Sequence, residues 1–230
     1  AAPTVGASVY DTDSTSTAKG LEIKAKFYSK HSRDKQTWRL PGISVSGMIN
    51  DHMEWGVSSG YGTVRKGDGA TRGGLRDLAA GTKWRFLDHS AEGGVSMAIE
   101  PEFVFPIGSE SSGVGTGAVA FELPLRVAKR FGPVRVTGQV RMERTFGRDD
   151  DSVGTGVLAE YALSDQWSYG IEFAADAPRK HLDAFEFHSN LGFKWEPGKH
   201  FELQALAGRS LDNRRGGAVT SFRLALEYRP

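Results

Sequence analysis

Apolar and polar residues alternate along two neighbouring segments near the middle of the chain, 119–127 and 134–142. In both, the apolar side chains, such as Leu123, share one face, and charged ones, such as Arg126, lie on the other. The stretch RFGP at 130–133 between them has the composition of a tight turn. This pattern predicts two antiparallel strands joined as a hairpin.

Similar alternating segments recur along the whole chain, which predicts about six hairpins and about twelve strands. Two all-β folds could use them. A soluble β-sandwich or lectin-like domain turns its charged faces to water and packs its apolar faces into a core. A membrane barrel inverts this arrangement, because its apolar faces meet lipid and its polar faces line the inside.

Two regularities favour the barrel. Tight turns alternate with longer loops rich in Gly, Asp, Ser and Arg, as they do in outer-membrane barrels. Aromatic residues gather beside the tight turns, which is typical of a girdle at one membrane interface. We assign to this girdle Trp55, Trp84, Phe86, Trp167, Tyr169, Trp195, Phe201 and Tyr228. The sequence therefore predicts a single closed antiparallel transmembrane β-barrel of about twelve strands, of the outer-membrane type.

Composition narrows the remaining possibilities. Hydrophobic residues make up 39% and charged residues 25%, and the sequence lacks the run of about 18 apolar residues that a transmembrane helix needs. The absence of Cys excludes disulfides, thiolate metal sites and a Cys nucleophile. With a net charge of +1, nothing favours nucleic acid as a partner.

The chain divides into two parts. Residues 1–19 are small and polar, and we expect them to form a mobile or plugging N-terminal segment. Residues 20–230 carry the alternating pattern and are predicted to form the barrel.

Several short motifs resemble those of the MetA-pathway of phenol degradation family. Residues 74–78 (GLRDL) and 81–86 (GTKWRF) are similar to its GLGDL and G-x-K-Y-R motifs. Residues 104–109 (VFPIGS) resemble its loop entry, and later similarity extends over 161–168 and 191–211. Arg76 replaces the usual Gly, and the chain ends in Tyr-Arg-Pro rather than in an aromatic residue. The resemblance implies an outer-membrane transporter of hydrophobic or aromatic small molecules.

Twelve strands enclose a lumen that leaves about 10 Å between side chains, too narrow for a general porin. We predict that the charged faces line this lumen, with Lys24, Lys26, Lys83, Arg85, Glu100, Glu102, Glu122, Arg126, Arg135, Arg141, Glu143, Glu160, Glu172, Glu186, His188, Lys194, Arg223 and Glu227. The expected function is a narrow channel or transporter for small solutes in the outer membrane of a Gram-negative bacterium. The alternative is a structural or surface-interaction barrel whose lumen is closed by ion pairs.

An enzyme is a weaker hypothesis. His188 and Ser189 are reminiscent of lipid A deacylase barrels, but adjacent strand residues point to opposite faces, so we expect no catalytic site. The run of three Asp at 149–151 could bind Ca²⁺, but such runs are more often solvated. We expect no cofactor and no metal.

The predicted partners are outer-membrane lipid, lipopolysaccharide and a small-molecule solute, bound by a monomer. Arg65, Asp68 and Arg72 lie in one predicted loop and are the candidates for contact with lipopolysaccharide phosphates.

Overall fold

The computed structural model describes residues 8–33, 35–66 and 69–230. Residues 1–7 of the predicted N-terminal segment, and Asp68 of the predicted lipopolysaccharide contact, lie outside the described residues. A single 3₁₀ turn spans Ser90–Glu92. In the described part of the chain, no helix is long and apolar enough to cross a membrane.

The described residues form one antiparallel sheet of fourteen strand segments. They are β1 (Glu22–His31), β2 (Lys35–Asn50), β3 (Met53–Lys66), β4 (Thr71–Leu75), β5 (Leu78–Asp88), β6 (Val95–Ile99), β7 (Glu102–Phe105), β8 (Ala120–Phe131), β9 (Val134–Thr145), β10 (Ser152–Ala162), β11 (Trp167–Pro178), β12 (Glu186–Trp195), β13 (Phe201–Asn213) and β14 (Thr220–Tyr228).

Two pairs of segments are halves of one barrel strand. Both β4 and β5 pair with β3, on either side of a break at Arg76 and Asp77. Both β6 and β7 pair with β8, on either side of a break at Glu100 and Pro101. The barrel therefore has twelve strands, and because β1 pairs along its length with β14, the sheet is closed. The predicted fold class is confirmed.

Side-chain exposure alternates as expected for a membrane barrel, with apolar side chains exposed and charged ones buried. In β11, Ile171 and Phe173 are 41% and 42% exposed, while Glu172 between them is fully buried. In β8, Glu122 and Arg126 are each only 1% exposed. The apolar faces thus lie outside and the charged faces inside, which is the reverse of a soluble sandwich.

The connections differ between the two ends of the barrel. At one end, here called the turn end, most are short, such as residues 51–52 and 132–133, and the C-terminus lies there too. The other end, the loop end, carries most of the longer connections, of which residues 106–119 form the longest. This agrees with the predicted alternation of turns and loops.

Strand pairing at the loop end extends further than the sequence pattern indicated. Arg65 and Arg72 were predicted to lie in one loop, but β3 continues to Lys66 and Thr71–Leu75 pairs with it as β4. Pairing there needs only backbone hydrogen bonds, so it persists without apolar alternation. The chain also bulges at Pro41 and Gly42, where the register shifts between Arg39 and Gly42.

Candidate functional site

The lumen contains a stretch of the chain itself, residues 8–19, which we call the inner segment. It precedes β1, and Val9, Tyr10, Thr12, Asp13, Thr15 and Ala18 in it are buried. The inner segment has no strand partner, so its backbone polar groups need side chains of the barrel wall as partners. The contacts below show that the inward faces of several strands supply them.

Glu172 on β11 binds the backbone of the inner segment. The N–H of Asp11 donates to its Oε2 (3.1 Å) and the N–H of Thr12 to its Oε1 (2.5 Å). Asn190 on β12 donates its side-chain amide to the same carboxylate (2.6 Å). A carboxylate that accepts two backbone N–H groups holds that stretch of chain in one position.

Asp11 and Val9 are held by the neighbouring strands β12, β13 and β14. The Asp11 carboxylate pairs with Arg223 of β14 (2.7 Å) and hydrogen-bonds His188 of β12 (2.9 Å). The N–H of Val9 donates to Gln204 Oε1 (2.9 Å), and its carbonyl oxygen accepts from Arg223 (2.8 Å). Strands β11 to β14 thus all contact residues 9–12.

Asp13 joins a buried ion-pair cluster centred on Lys83 of β5. The Lys83 ammonium lies 2.9 Å from Asp13, 3.3 Å from Glu54 of β3 and 4.0 Å from Glu100. Arg126 of β8 pairs with Glu100 on the far side. The cluster therefore ties the inner segment to the wall opposite β11–β14.

Two glycines provide the space for Tyr10. A Cβ at Gly192 of β12 would lie 2.7 Å from the Tyr10 hydroxyl oxygen, and a Cβ at Gly170 of β11 would approach it more closely still. The ring also lies 5.7 Å from the Lys194 ammonium. Tyr10 therefore packs directly on the backbone of Gly170 and Gly192, in a recess that any residue larger than glycine would fill.

Cavities lie on both sides of the inner segment. The turn-end cavity, about 470 Å³, is lined by charges of both signs: Asp13, Lys19, Glu22, Lys24, Glu54, Lys83, Arg130, Arg135, Glu160, Asp165, Lys194, Glu196, Glu202, Glu227 and Arg229. The loop-end cavity, about 440 Å³, is lined by seven basic residues and one acidic one: Lys26, Lys30, Lys35, Arg39, Arg76, Arg141, Arg223 and Asp11. The two halves of the lumen therefore differ in charge, and the loop-end half is cationic.

All the residues predicted to line the lumen are buried or half-buried in the structure, and none is exposed. Many are brought together as ion pairs, including Lys24 with Glu227 (2.6 Å) and Lys194 with Glu160 (2.6 Å). Whether they line a path for solute stays a prediction. Sequence reasoning did not name Tyr10, Asp11, Asp13 or Arg39 as site residues, and it noted Arg76 only as a departure from the family motif. Tyr10, the single aromatic residue in a polar stretch, was a further hint.

The residues of the predicted aromatic girdle lie on the outer face near the turn end. Trp55, Trp84 and Phe86 are exposed, as are Tyr169, Phe201 and Tyr228. Trp167 and Trp195 are half-buried because their rings stack on each other, with centroids 5.5 Å apart.

The end of the chain is fastened to the turn end through Arg229. Its guanidinium pairs with Glu227 and Glu202, both at 2.6 Å, and with Glu196 at 3.2 Å. Burial alone lowers the pKa of Arg229, but the carboxylates of Glu227 and Glu202 raise it above its usual value. Arg229 thus has a structural role at the turn end.

The residues considered for catalysis and for Ca²⁺ binding have structural partners. His188 bonds to Asp11 inside the barrel, while Ser189 lies opposite Phe173 on the outer face, so the two do not form a catalytic pair. In the run of three Asp, Asp149 pairs with Lys180 and Asp151 with Arg179. Among the described residues, no group of three or more ligating side chains could hold a metal.

Solved structures match the chain over most of its length. The COG4313 outer membrane channel from Pseudomonas putida F1 has a TM-score of 0.70 and 14% identity, over 95% of this chain and 98% of that one. The NanC porin has a TM-score of 0.65 and 7% identity, over 90% and 100%. The KdgM porin in complex with disordered oligogalacturonate has a TM-score of 0.57 and 13% identity, over 91% and 99%.

No family model matches the chain, and no curated protein does either. Membership of the MetA-pathway family therefore stays a prediction. The similarity to the three solved structures is a similarity of fold, and this chain has the fold of outer-membrane porins and channels.

Proposed function

We propose that the protein is a narrow channel for small solutes in the outer membrane of a Gram-negative bacterium, and that the inner segment is its plug. The observation that carries this proposal is the pair of cavities, one toward each end of the barrel, with residues 8–13 between them. A barrel needs no such polar cavities for stability alone, because side chains can fill a small lumen.

The proposed surroundings follow from the outer face. Its apolar band contacts lipid, its loop end contacts lipopolysaccharide, and the barrel acts as a monomer. Arg65 and Arg72, both exposed at the loop end, are suited to lipopolysaccharide phosphates. Fractionation of cell envelopes tests the location, and a shift in gel mobility on boiling tests the closed barrel.

The proposed solute is small and partly apolar. Tyr28, Val64 and Val114 line the loop-end cavity together with its cationic groups. They offer contact area to an aromatic or hydrophobic solute, which is what the family resemblance implies.

Conductance through planar bilayers tests the channel and the plug together. Glu172→Gln removes the charge that accepts the N–H groups of Asp11 and Thr12, so we expect the variant to open more often than the parent protein. Glu143→Gln is the matched control, because Glu143 faces the lumen but is bonded by Ser152 of β10 instead. Equal opening in all three proteins would contradict the plug.

The second candidate is a structural barrel with a closed lumen. The many contacts between the inner segment and the wall favour it, because each contact makes displacement of the segment more costly. If neither the parent protein nor Glu172→Gln conducts above leak, this alternative replaces the channel.

A further inference from the structure

Arg76 is a buried cation at the break between β4 and β5. It is only 9% exposed, and it lines the loop-end cavity. Its backbone is fixed, because its N–H donates to the carbonyl oxygen of Gly60 (2.8 Å) and its own carbonyl oxygen accepts from Ser59 (3.1 Å). The side chain therefore starts from a rigid position in the wall.

The Arg76 side chain lies across the inner surfaces of β3 and β2. Its Cγ is 3.6 Å from the place where a Cβ at Gly62 would be, and its Nη1 is 3.7 Å from the corresponding place at Gly42. Both glycines are buried. The guanidinium is thus laid over bare backbone on the lumen side, facing the cavity that Gly42 and Gly62 also line.

The carboxylate next to Arg76 in the chain is already bonded elsewhere. Asp77 accepts the N–H groups of Gly108 (3.0 Å) and Thr116 (2.7 Å), which holds the long loop 106–119 against the barrel. Among the described residues, no carboxylate oxygen forms an ion pair with Arg76 within 4 Å. A buried guanidinium without a close counter-ion is unusual, because buried charges are normally paired.

Two of the other three guanidinium groups in this cavity lie around one aromatic ring. Arg39 is 4.7 Å and Arg223 5.3 Å from the centroid of Tyr28. The ring holds both side chains in place, since cations are attracted to aromatic faces. The ring therefore fixes Arg39 and Arg223 in the same cavity as Arg76. Arg223 is already paired with Asp11 (2.7 Å).

We propose that the loop-end cavity binds the carboxylate of a small organic anion, and that Arg76 is its main contact. A planar guanidinium binds a carboxylate through two parallel hydrogen bonds. Arg39 and Arg223 lie beside the site, and the charge of Arg223 is balanced by Asp11. The claim that solute enters through this site rests on the proposed channel, but the binding itself can be measured without conductance.

Calorimetry on the purified, folded full-length chain tests the site with four probes. Benzoate and galacturonate carry a carboxylate on an aromatic ring and on a sugar, and benzyl alcohol and galactose are their neutral counterparts. We expect at least one carboxylate to bind about tenfold or more tightly than its neutral counterpart. Binding of benzoate alone points to aromatic acids, and binding of galacturonate alone points to sugar acids. Equal binding of charged and neutral probes would overturn the proposal.

Arg76→Gln is the variant that tests the residue, and we expect it to weaken carboxylate binding about ten- to hundredfold. Arg72→Gln, exposed on β4, is the matched control and should bind like the parent protein. Gel mobility before and after boiling checks that each variant is folded, and Arg76→Lys, which keeps the charge, should retain part of the affinity if Arg76→Gln does not fold. Unchanged binding in folded Arg76→Gln would refute the role of Arg76. So would undiminished affinity in Arg76→Lys, because an ammonium cannot form the two parallel hydrogen bonds of a guanidinium.

The two proposals fail in different ways. Carboxylate binding that depends on Arg76, without conductance, supports the site and removes the channel. Conductance without carboxylate binding supports the channel and removes the site.

Discussion

Single residues on the inner wall decide what the lumen can hold. Gly170 and Gly192 lie where alternation places inward-facing side chains, and both leave space that Tyr10 occupies. Their value lies in the missing Cβ and not in any special backbone angle, because the glycines with positive φ are elsewhere. The recess and the ring that fills it are 160 or more positions apart in the sequence.

Gly170→Val should displace the inner segment. The added side chain would collide with the Tyr10 ring, so the N–H groups of Val9 and Thr12 should lose protection from hydrogen exchange. We expect exchange to be about tenfold faster, which corresponds to about 1.4 kcal/mol. Gly138→Val on β9 is the control, because a Cβ there meets nothing within 4 Å. Similar exchange in both variants would show that Tyr10 does not hold the segment.

At the scale of elements, buried ion pairs connect neighbouring strands with each other and with the inner segment. Lys83 of β5 contacts Glu54 of β3, Glu100 beside β6, and Asp13 of the inner segment. Three carboxylates around one ammonium are stable only while the ammonium is charged and present.

Lys83→Met should therefore destabilise the barrel strongly. Removing the cation leaves buried carboxylates without a partner, and the expected loss is about 3–5 kcal/mol in the free energy of unfolding. Lys180→Met is the control, because the pair of Lys180 with Asp149 is exposed (66% and 75%) and should contribute about 1 kcal/mol or less. Urea unfolding in lipid vesicles measures both, and equal losses would contradict the central role of Lys83.

Alternation was enough to predict which elements form and which way their side chains point. It separated Glu172 from Phe173 correctly, because neighbouring strand residues face opposite sides. It could not predict that Glu172 binds residues 11 and 12, because that contact obeys no periodicity. The break at Arg76 was also missed, since it depends on the loop 106–119 bonding to Asp77.

At the scale of the whole molecule, the outer surface is the most consequential feature. Large apolar side chains are exposed on nearly every strand, from Ile23 on β1 to Leu226 on β14. In water such a surface would aggregate, whereas in a bilayer it contacts acyl chains.

Val157→Arg tests this assignment. Val157 is exposed at the centre of β10, where a charge facing lipid should cost about 2–4 kcal/mol in the free energy of unfolding from vesicles. Leu163→Arg, exposed just beyond the same strand at the turn end, should cost about 1 kcal/mol or less. Equal costs at the two positions would mean that Val157 does not face the hydrocarbon.

The pairing of β1 with β14 also has a consequence for biogenesis. It joins Ile23 to Tyr228, about 200 positions apart, and the Lys24–Glu227 ion pair lies on the same seam. The barrel therefore cannot close until the nine residues of β14 have been synthesised. Every newly synthesised chain must therefore remain open for a time, with the apolar faces of its strands exposed. It needs a chaperone that prevents aggregation until the first and last strands pair.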